Sequence, residues 1–454
     1  MATAPGDTRF RHPPGLYYLA FTETWERFSY YGMTALLTLY MTKQLFLPGH
    51  AGHVLGLAGL RQLFSWVFAG GRPLSDVAFA SLVYGWYGGL VYLTPLLGGW
   101  IADRWLGTRA TVVLGALLMA SGHIAMAFDA SFLFALLLLI LGSGCLKGNI
   151  SAQVGQLYTE AAESLRTQAY TIFSAGINVG AVLGPFTCAT LAAIWGWHTG
   201  FGAAAGLMLL ALATYLLGQR HLPGGRPVRA ERKELPAMTR DERKRTVLLI
   251  LAAALTLFPN IAYPMIWSIG VLWIDQHVTL STPFGFDVPA SWFNSVDPLA
   301  SIFGVPPLVL LWAWQAKRGR EPGDIAKIGI GSLITGASAL LFVAGALLPE
   351  ANGKTSVLWA LAGFVGMGVG FLYYWPVLLA LISRAAPKQI NSTLMGGVFL
   401  AFFFGSVGAG WIGSFYDQMS PAAFWSVDAG VAFAGAIVAF ALNPWLRRAL
   451  AGPA

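Results

Sequence analysis

FLFALLLLILGSGCLKGNIS, residues 132–151, is an apolar run that contains a single charged residue, Lys147. A bilayer core about 30 Å thick needs about 20 apolar residues per helix, so this run predicts a membrane-spanning helix. The whole chain shares this character, because 56% of its 454 residues are hydrophobic and only 11% are charged. Soluble domains carry about 25% charged residues. The composition therefore excludes a water-soluble enzyme, a disordered chain and an ordinary nucleic-acid binder.

Twelve such runs follow one another, and their lack of period-2 alternation predicts helices rather than a barrel. The predicted spans are 15–42, 78–102, 110–128, 132–156, 168–193, 199–218, 246–276, 291–316, 324–347, 355–384, 391–416 and 421–444. The predicted fold class is an all-α membrane protein with twelve transmembrane helices in two six-helix bundles. We assign 1–218 to the N-terminal bundle, 219–245 to a charged cytoplasmic linker and 246–454 to the C-terminal bundle.

The distribution of positive charge predicts the orientation. With a cytoplasmic N-terminus, about 22 of the 28 Lys and Arg residues fall in cytoplasmic segments. An even number of spans then predicts cytoplasmic N- and C-termini in a multi-pass protein of the inner (plasma) membrane. The periplasmic insertion at about 44–75 predicts either an amphipathic helix on the membrane surface or an irregular loop or cap.

Span one carries the most informative charges. Glu23, Glu26, Arg27 and Tyr30 are spaced so that a helix places them on one face. An ionisable group inside a membrane bundle marks a functional site by default, although a structural ion-pair latch is the alternative. Lys147 has no carboxylate within a turn of its own helix, so we expect Glu23 and Glu26 to be its partners.

The charges of Glu23, Glu26, Arg27 and Lys147 sum to zero, so one added proton makes the cluster positive. Two unit charges about 4 Å apart interact by about 4 kcal/mol at an effective dielectric near 20. Protonation of a Glu would therefore be coupled to binding of a substrate carboxylate at Arg27 or Lys147. Such a coupling is the physical minimum for proton–substrate symport.

The second half contains fewer buried charges. Asp297 lies in WFNSVDP inside span eight, where the proline frees a backbone carbonyl. Asp428 lies nearer to the interface, and we expect it to cap its helix. Trp267 and Tyr374 belong to an aromatic set that either lines a pocket or only packs the core.

Four motifs resemble those of the proton-dependent oligopeptide transporter (POT) family of the major facilitator superfamily. They are ETWERFSYY (23–31), YGGLVYLTPLLGGWIADRWLG (87–107), GSGCLKGNIS (142–151) and FSAGINVGAVLGP (173–185). The resemblance implies the major facilitator fold, with a central cavity that alternates its access. It also implies that Arg27 and Lys147 serve proton coupling and the carboxyl end of the peptide, and that Tyr30, Tyr92 and Asn178 line the cavity.

The chain departs from the family pattern at several acids and bases. Thr34 stands where the family usually has a second arginine, and Pro264 and Met265 stand where span seven has its Glu-Gln pair. Phe371 replaces the tenth-span glutamate that holds the peptide's amino group. Asp297, where the family usually has Asn, is inferred to have taken over the amino-end role, a proton role, or both.

The predicted function is a proton-coupled symporter that imports di- and tripeptides by alternating access. It would need no cofactor besides the proton gradient, and neither a metal nor a nucleic-acid partner is expected; the protein would be a monomer in the lipid bilayer. One alternative is transport of another small organic ion or of an amino acid, and another is a transport-dead sensor. An intramembrane enzyme is not expected, because the spans contain no HExxH motif and no Cys/His cluster.

The predicted site residues fall into two groups. The proton-coupling residues are Glu23, Glu26, Arg27, Lys147 and Asp297. The substrate-binding residues are Arg27, Tyr30, Tyr92, Lys147, Asn178, Trp267, Asp297 and Tyr374.

Overall fold

The computed structural model describes residues 12–158, 162–223, 237–282, 285–387 and 389–451. Sixteen α-helices form within these ranges. They are α1 (Pro14–Tyr40), α2 (Leu57–Ala69), α3 (Asp76–Leu93), α4 (Pro95–Ile101), α5 (Gly107–Ala125), α6 (Phe132–Gln156), α7 (Glu163–Trp195), α8 (Trp197–Gly218), α9 (Arg240–Leu255), α10 (Leu257–Ala262), α11 (Ile269–His277), α12 (Val296–Lys317), α13 (Asp324–Leu347), α14 (Val357–Ala385), α15 (Asn391–Gly413) and α16 (Pro421–Ala451). The same ranges contain two isolated β-bridges and no strand. The prediction of an all-α fold is confirmed.

The predicted membrane spans lie on these helices. Ten helical stretches in the described ranges are long and apolar enough to cross a bilayer. One of them, Asp76–Ala125, has 50 residues, which is more than twice what a single crossing of about 20 residues needs. The chain turns within it at Gly107, whose φ of +74° favours glycine. This stretch therefore accommodates two predicted spans. Helix α1 is not among the ten, since its charged residues lower its hydropathy.

Span seven is a broken helix. It consists of α9, α10, a 3₁₀ turn at Tyr263–Trp267 and α11. Pro264 has no N–H group and cannot continue the hydrogen-bond ladder. Irregular backbone at membrane depth is tolerated where it is buried in protein or lines a cavity, so this turn is a natural position for functional side chains.

The chain forms two compact units. Unit 1 contains residues 1–33 and 94–230, and unit 2 contains residues 34–93 and 231–454. The predicted domain boundaries at 218 and 246 stay a prediction. Of the predicted linker, 224–236 lie outside the described residues. Its last part is helical, because α9 already begins at Arg240 behind a capping box formed by Thr239 and Glu242.

Within unit 1, glycines bring α7 against α1. A Cβ atom at Gly176 would lie 2.6 Å from the Thr24 hydroxyl, and one at Gly180 would lie 2.6 Å from the Thr24 carbonyl oxygen. Gly184 stands one further turn along and meets the Phe28 carbonyl. Small residues at four-residue spacing allow such close approach of two membrane helices. The charged part of α1 is therefore supported by the backbone of α7.

The insertion at 44–75 contains α2, so the prediction of a helix there is confirmed. Arg61 attaches it to the start of α3 through an ion pair with Asp76 at 2.5 Å and lies over the Phe79 ring. Leu63 and Trp66 remain exposed, with 53% and 74% of their surface accessible. The position of this helix on a membrane surface stays a prediction.

The glycine contact predicts a difference between two alanine substitutions. We expect Gly180→Ala to lower the stability of the protein by about 1–3 kcal/mol, because the added methyl group collides with α1 backbone. Gly148→Ala is the control, since a Cβ at Gly148 meets nothing within 4 Å. Thermal unfolding in detergent measures both. Equal melting temperatures for the two variants would contradict the packing argument.

Candidate functional site: a buried charge cluster and a buried acid

The core of the site in unit 1 is one guanidinium held by two carboxylates. Arg27 is 2% exposed, and its Nε lies 3.1 Å from Oε1 of Glu23. One of its terminal nitrogens donates a 2.6 Å hydrogen bond to Oε1 of Glu26, and its Nε bonds the other oxygen of Glu26. Both carboxylates are as buried as the arginine. This triad is a charge-assisted network from which bulk water is excluded.

The local sequence dictates this arrangement. Glu23 and Arg27 are four residues apart, so helix geometry alone places them on one face of α1. The second oxygen of Glu23, Oε2, has no hydrogen-bond partner among the described residues. The triad therefore retains one buried acceptor that can receive a proton or a donor.

Lys147 lies where the sequence predicts it. This partly buried residue of α6 is within electrostatic range of Arg27, Glu26 and Glu23. The next residue, Gly148, borders open space instead of a neighbouring helix. Unit 1 therefore has a second cation beside the triad, next to a position with room for a ligand.

The two uncharged residues predicted for unit 1 lie on the same pair of packed helices. The guanidinium carbon of Arg27 lies 5.3 Å from the centre of the Tyr30 ring, a cation–π contact. Asn178 is partly buried on α7. It stands between Gly176 and Gly180, the two glycines that bring α7 against α1.

Unit 2 contains a single-acid site around Asp297. This residue is 1% exposed in the first turn of α12. Its Oδ2 accepts a hydrogen bond from the Tyr263 hydroxyl, whereas its Oδ1 has no partner in the described part of the chain. Gly368 of α14 makes this burial possible, because a Cβ there would lie 2.7 Å from the Asp297 carbonyl oxygen.

Aromatic rings surround this acid. The Phe371 ring stacks on Tyr263 at 5.0 Å, with 24° between the planes. Tyr374 is fully buried 5.6 Å from Phe371 and within electrostatic range of Asp297 and Tyr92. Tyr92 in turn stacks on Phe402 at 4.6 Å. Unit 2 therefore brings together three of its predicted site residues, Tyr92, Asp297 and Tyr374.

The sequence prediction missed Tyr263. The signal that could have found it is its place directly before Pro264, the position at which the resemblance predicts an acid. Trp267, a predicted site residue, ends the same 3₁₀ turn and is buried. The structure places it on the same turn as Tyr263.

The predicted capping role of Asp428 is wrong. Asp428 lies two turns inside α16, and the cap at the start of that helix is the Ser420 hydroxyl, which accepts from the Ala423 N–H. The Asp428 side chain is fully buried, and neither carboxylate oxygen has a hydrogen-bond partner in the ranges that the structure covers. The burial is deeper than its position near the end of a span suggested.

These groups are suited to binding charged ligands and to holding protons. In the described ranges no three His, Cys, Asp or Glu side chains are grouped so that they could hold a metal ion. Two cations with one unpaired carboxylate oxygen in unit 1 can bind a carboxylate and hold a proton. One buried acid with a free oxygen in unit 2 can bind a cation.

Comparison with known proteins identifies the family. The model of the POT family matches residues 109–229 and 228–426. A di-/tripeptide transporter of Lactococcus lactis subsp. cremoris is 32% identical over 466 residues, which cover 87% of this chain and 88% of the relative. An uncharacterized transporter of Bacillus subtilis (strain 168) is 29% identical over 505 residues, which cover 98% of this chain and 96% of the relative.

A solved structure shows the same fold. The crystal structure of a peptide transporter in complex with alafosfalin superimposes with a TM-score of 0.83 at 27% identity, covering 97% of this chain and 96% of that one. The chain belongs to the POT family, and the predicted major facilitator fold is confirmed. Membership in a family of transporters also agrees with the prediction that the protein is not an enzyme.

The triad predicts a large cost for removing its centre. Arg27→Ala leaves two buried carboxylates without their partner, so we expect a loss of about 3–5 kcal/mol of stability. Arg61→Ala breaks an exposed ion pair and should cost at most about 1 kcal/mol. Thermal unfolding in detergent at neutral pH compares them. An Arg27→Ala variant as stable as Arg61→Ala would show that the triad contributes little.

Proposed function

We propose that the protein is a proton-coupled symporter that imports di- and tripeptides by alternating access. The observation that carries the proposal is the buried triad of Arg27, Glu23 and Glu26 with Lys147 in electrostatic range. Charges are rare inside membrane helices and mark substrate paths and proton relays. The relative in Lactococcus, named a di-/tripeptide transporter, supports peptides as the substrate.

Unit 1 would bind the carboxyl end of the peptide and couple it to the proton. Arg27 and Lys147 supply the positive charge, while Tyr30 and Asn178 line the site. A proton on Glu23 or Glu26 weakens the hold of that carboxylate on the cations, which frees them for the substrate carboxylate. Proton binding and peptide binding then favour each other, as symport requires.

Unit 2 would bind the amino end. An ammonium left unpaired in a low-dielectric cavity costs several kcal/mol, so a buried acid is required. Asp297 supplies it with its unpartnered Oδ1, and it serves as a further proton site when no ammonium is present. Tyr92, Trp267 and Tyr374 provide the walls of this subsite.

The cellular setting follows from charge and composition. The excess of Lys and Arg in the segments on one side supports cytoplasmic N- and C-termini in an inner membrane. A monomer suffices, because each residue that the mechanism needs comes from one chain. The driving force is the proton gradient.

Transport of an amino acid or another small organic ion is the second candidate. It is favoured by Phe371 and Pro264, which stand where the family usually has acids. Purified protein in liposomes with an inward proton gradient separates the two. We expect unlabelled di- and tripeptides to compete with uptake of a labelled dipeptide, whereas free amino acids and other organic ions should not. The reverse order of competition would replace the peptide proposal by the second candidate.

Lys147 provides a test of coupling. Lys147→Ala should abolish uptake driven by the proton gradient, because the cation that responds to Glu protonation is gone. Exchange of labelled for unlabelled peptide needs no net proton movement and should continue. The control is Lys354→Ala, which removes an exposed lysine. Gradient-driven uptake at the wild-type rate in Lys147→Ala would make Lys147 a structural residue only.

Asp297 provides a test of the amino-end role. Asp297→Asn should weaken binding of free peptides by at least tenfold relative to amino-blocked peptides, since only the free ones carry an ammonium. Asp428→Asn is the matched control, because Asp428 is equally buried but has no phenol bonded to it. Competition of both peptide types against a labelled substrate gives the ratio. Equal losses for free and blocked peptides in Asp297→Asn would refute the role.

A further inference from the structure

Tyr263 lies next to, or in contact with, three residues at which the sequence departs from the expected family pattern. It lies beside Pro264, where span seven lacks its usual acid, and its ring stacks on Phe371, where span ten lacks its usual glutamate. Its hydroxyl donates to Oδ2 of Asp297, the acid found where the family usually has Asn. One phenol therefore contacts the residues at two of these positions and is the chain neighbour of the third.

The hydrogen bond makes the two oxygens of Asp297 unequal. Oδ2 is occupied by the Tyr263 hydroxyl, whereas Oδ1 has no partner among the residues described. A carboxylate can rotate about its Cβ–Cγ bond, and that torsion is broad for Asp. The bond from Tyr263 removes this freedom and keeps one particular oxygen available.

The stack on Phe371 fixes the donor in turn. Its centroid distance of 5.0 Å and interplanar angle of 24° describe an offset stack rather than an incidental edge contact. Phe371 is itself supported by Trp375, whose ring lies at 6.4 Å and 24°. The phenol is therefore held between an aromatic wall on α14 and an acid on α12.

We propose that Tyr263 is a positioning residue that orients Asp297 for the substrate ammonium, and that Phe371 acts through Tyr263 as the support of its ring. This inference rests on the proposed amino-end role of Asp297 and extends it to two residues that do not bind the substrate charge. Position 371 holds no acid; instead, the stacked rings of Phe371 and Tyr263 orient the carboxylate of Asp297. Specificity for a free amino group then depends on an aromatic contact.

Tyr263→Phe is the direct test, because it removes the hydroxyl and keeps the ring and its stack. We expect the preference for free over amino-blocked peptides, measured as the ratio of their KM values, to fall about tenfold or more. The maximal uptake rate of blocked peptides should stay at the wild-type value, whereas a general packing defect would lower it. Tyr373→Phe is the matched control, since that tyrosine lies two residues from Phe371 and packs edge-to-face on Trp312.

A double-mutant cycle tests whether the three residues act in series. In the Asp297→Asn background, Tyr263→Phe should cause no further loss of the ratio, because the group it positions is gone. Phe371→Leu should lower the ratio in the wild type but add nothing to Tyr263→Phe. Phe371→Trp keeps an aromatic surface and should retain most of the preference.

Phe371→Glu places a glutamate where the family resemblance predicts one. The family pattern suggests that this change should improve binding of the peptide's amino group, but we expect the opposite. Phe371→Glu removes the stack on Tyr263 and places a second carboxylate close to Asp297, so we expect weaker uptake of free peptides. A free-to-blocked ratio in Phe371→Glu at or above that of the wild type would overturn the supporting role of Phe371.

The outcomes separate this inference from the function on which it rests. If Asp297→Asn itself leaves the ratio unchanged, the proposed amino-end role fails. If Asp297→Asn lowers the ratio but Tyr263→Phe equals the wild type, only the positioning role of Tyr263 fails. Additive losses in the Asp297/Tyr263 cycle would show that Tyr263 acts independently of the acid, which also overturns the inference.

Discussion

A guanidinium cannot be buried inside a membrane helix bundle unless opposite charge is buried with it. The Arg27 triad meets this condition within a single helical turn of α1, because Glu23 and Glu26 belong to the same face. Two carboxylates for one arginine leave an excess negative charge, which makes a second cation favourable nearby. Lys147 on α6 supplies it. The arrangement of charge in unit 1 thus follows from the cost of burying one residue.

The buried acid of unit 2 has different surroundings from the charge cluster of unit 1. Among the described residues, the acid at its site is bonded to a neutral phenol, Tyr263, and further aromatic rings lie beside that phenol. The positions where the family resemblance predicts further charges hold Thr34, which is buried, Pro264 and Phe371. Losing both partners of an ion pair leaves no unpaired charge behind, so these replacements are mutually consistent.

Much of this could be predicted from sequence because it depends on local geometry. The twelve spans follow from runs of apolar residues, and the face of α1 follows from the helical repeat. Lys147 could be assigned to the charges of α1 because its own helix offers it no carboxylate. The role of Tyr263 could not be predicted, since its contact with Asp297 joins residues from a broken helix and the start of α12. Asp428 was misjudged because distance along a span says little about how neighbouring helices cover a side chain.

The glycine contact between α1 and α7 has a mechanical consequence. Gly180 and Gly184 place α7 directly against backbone atoms of α1, and such contacts, unlike contacts between side chains, cannot adjust by a change of rotamer. We therefore expect α7 and the part of α1 in unit 1 to move together as one rigid body. The triad lies on α1, so such a movement would preserve its internal geometry. If Glu23 or Glu26 takes up a proton, as proposed above, a change at one oxygen would act on both helices together.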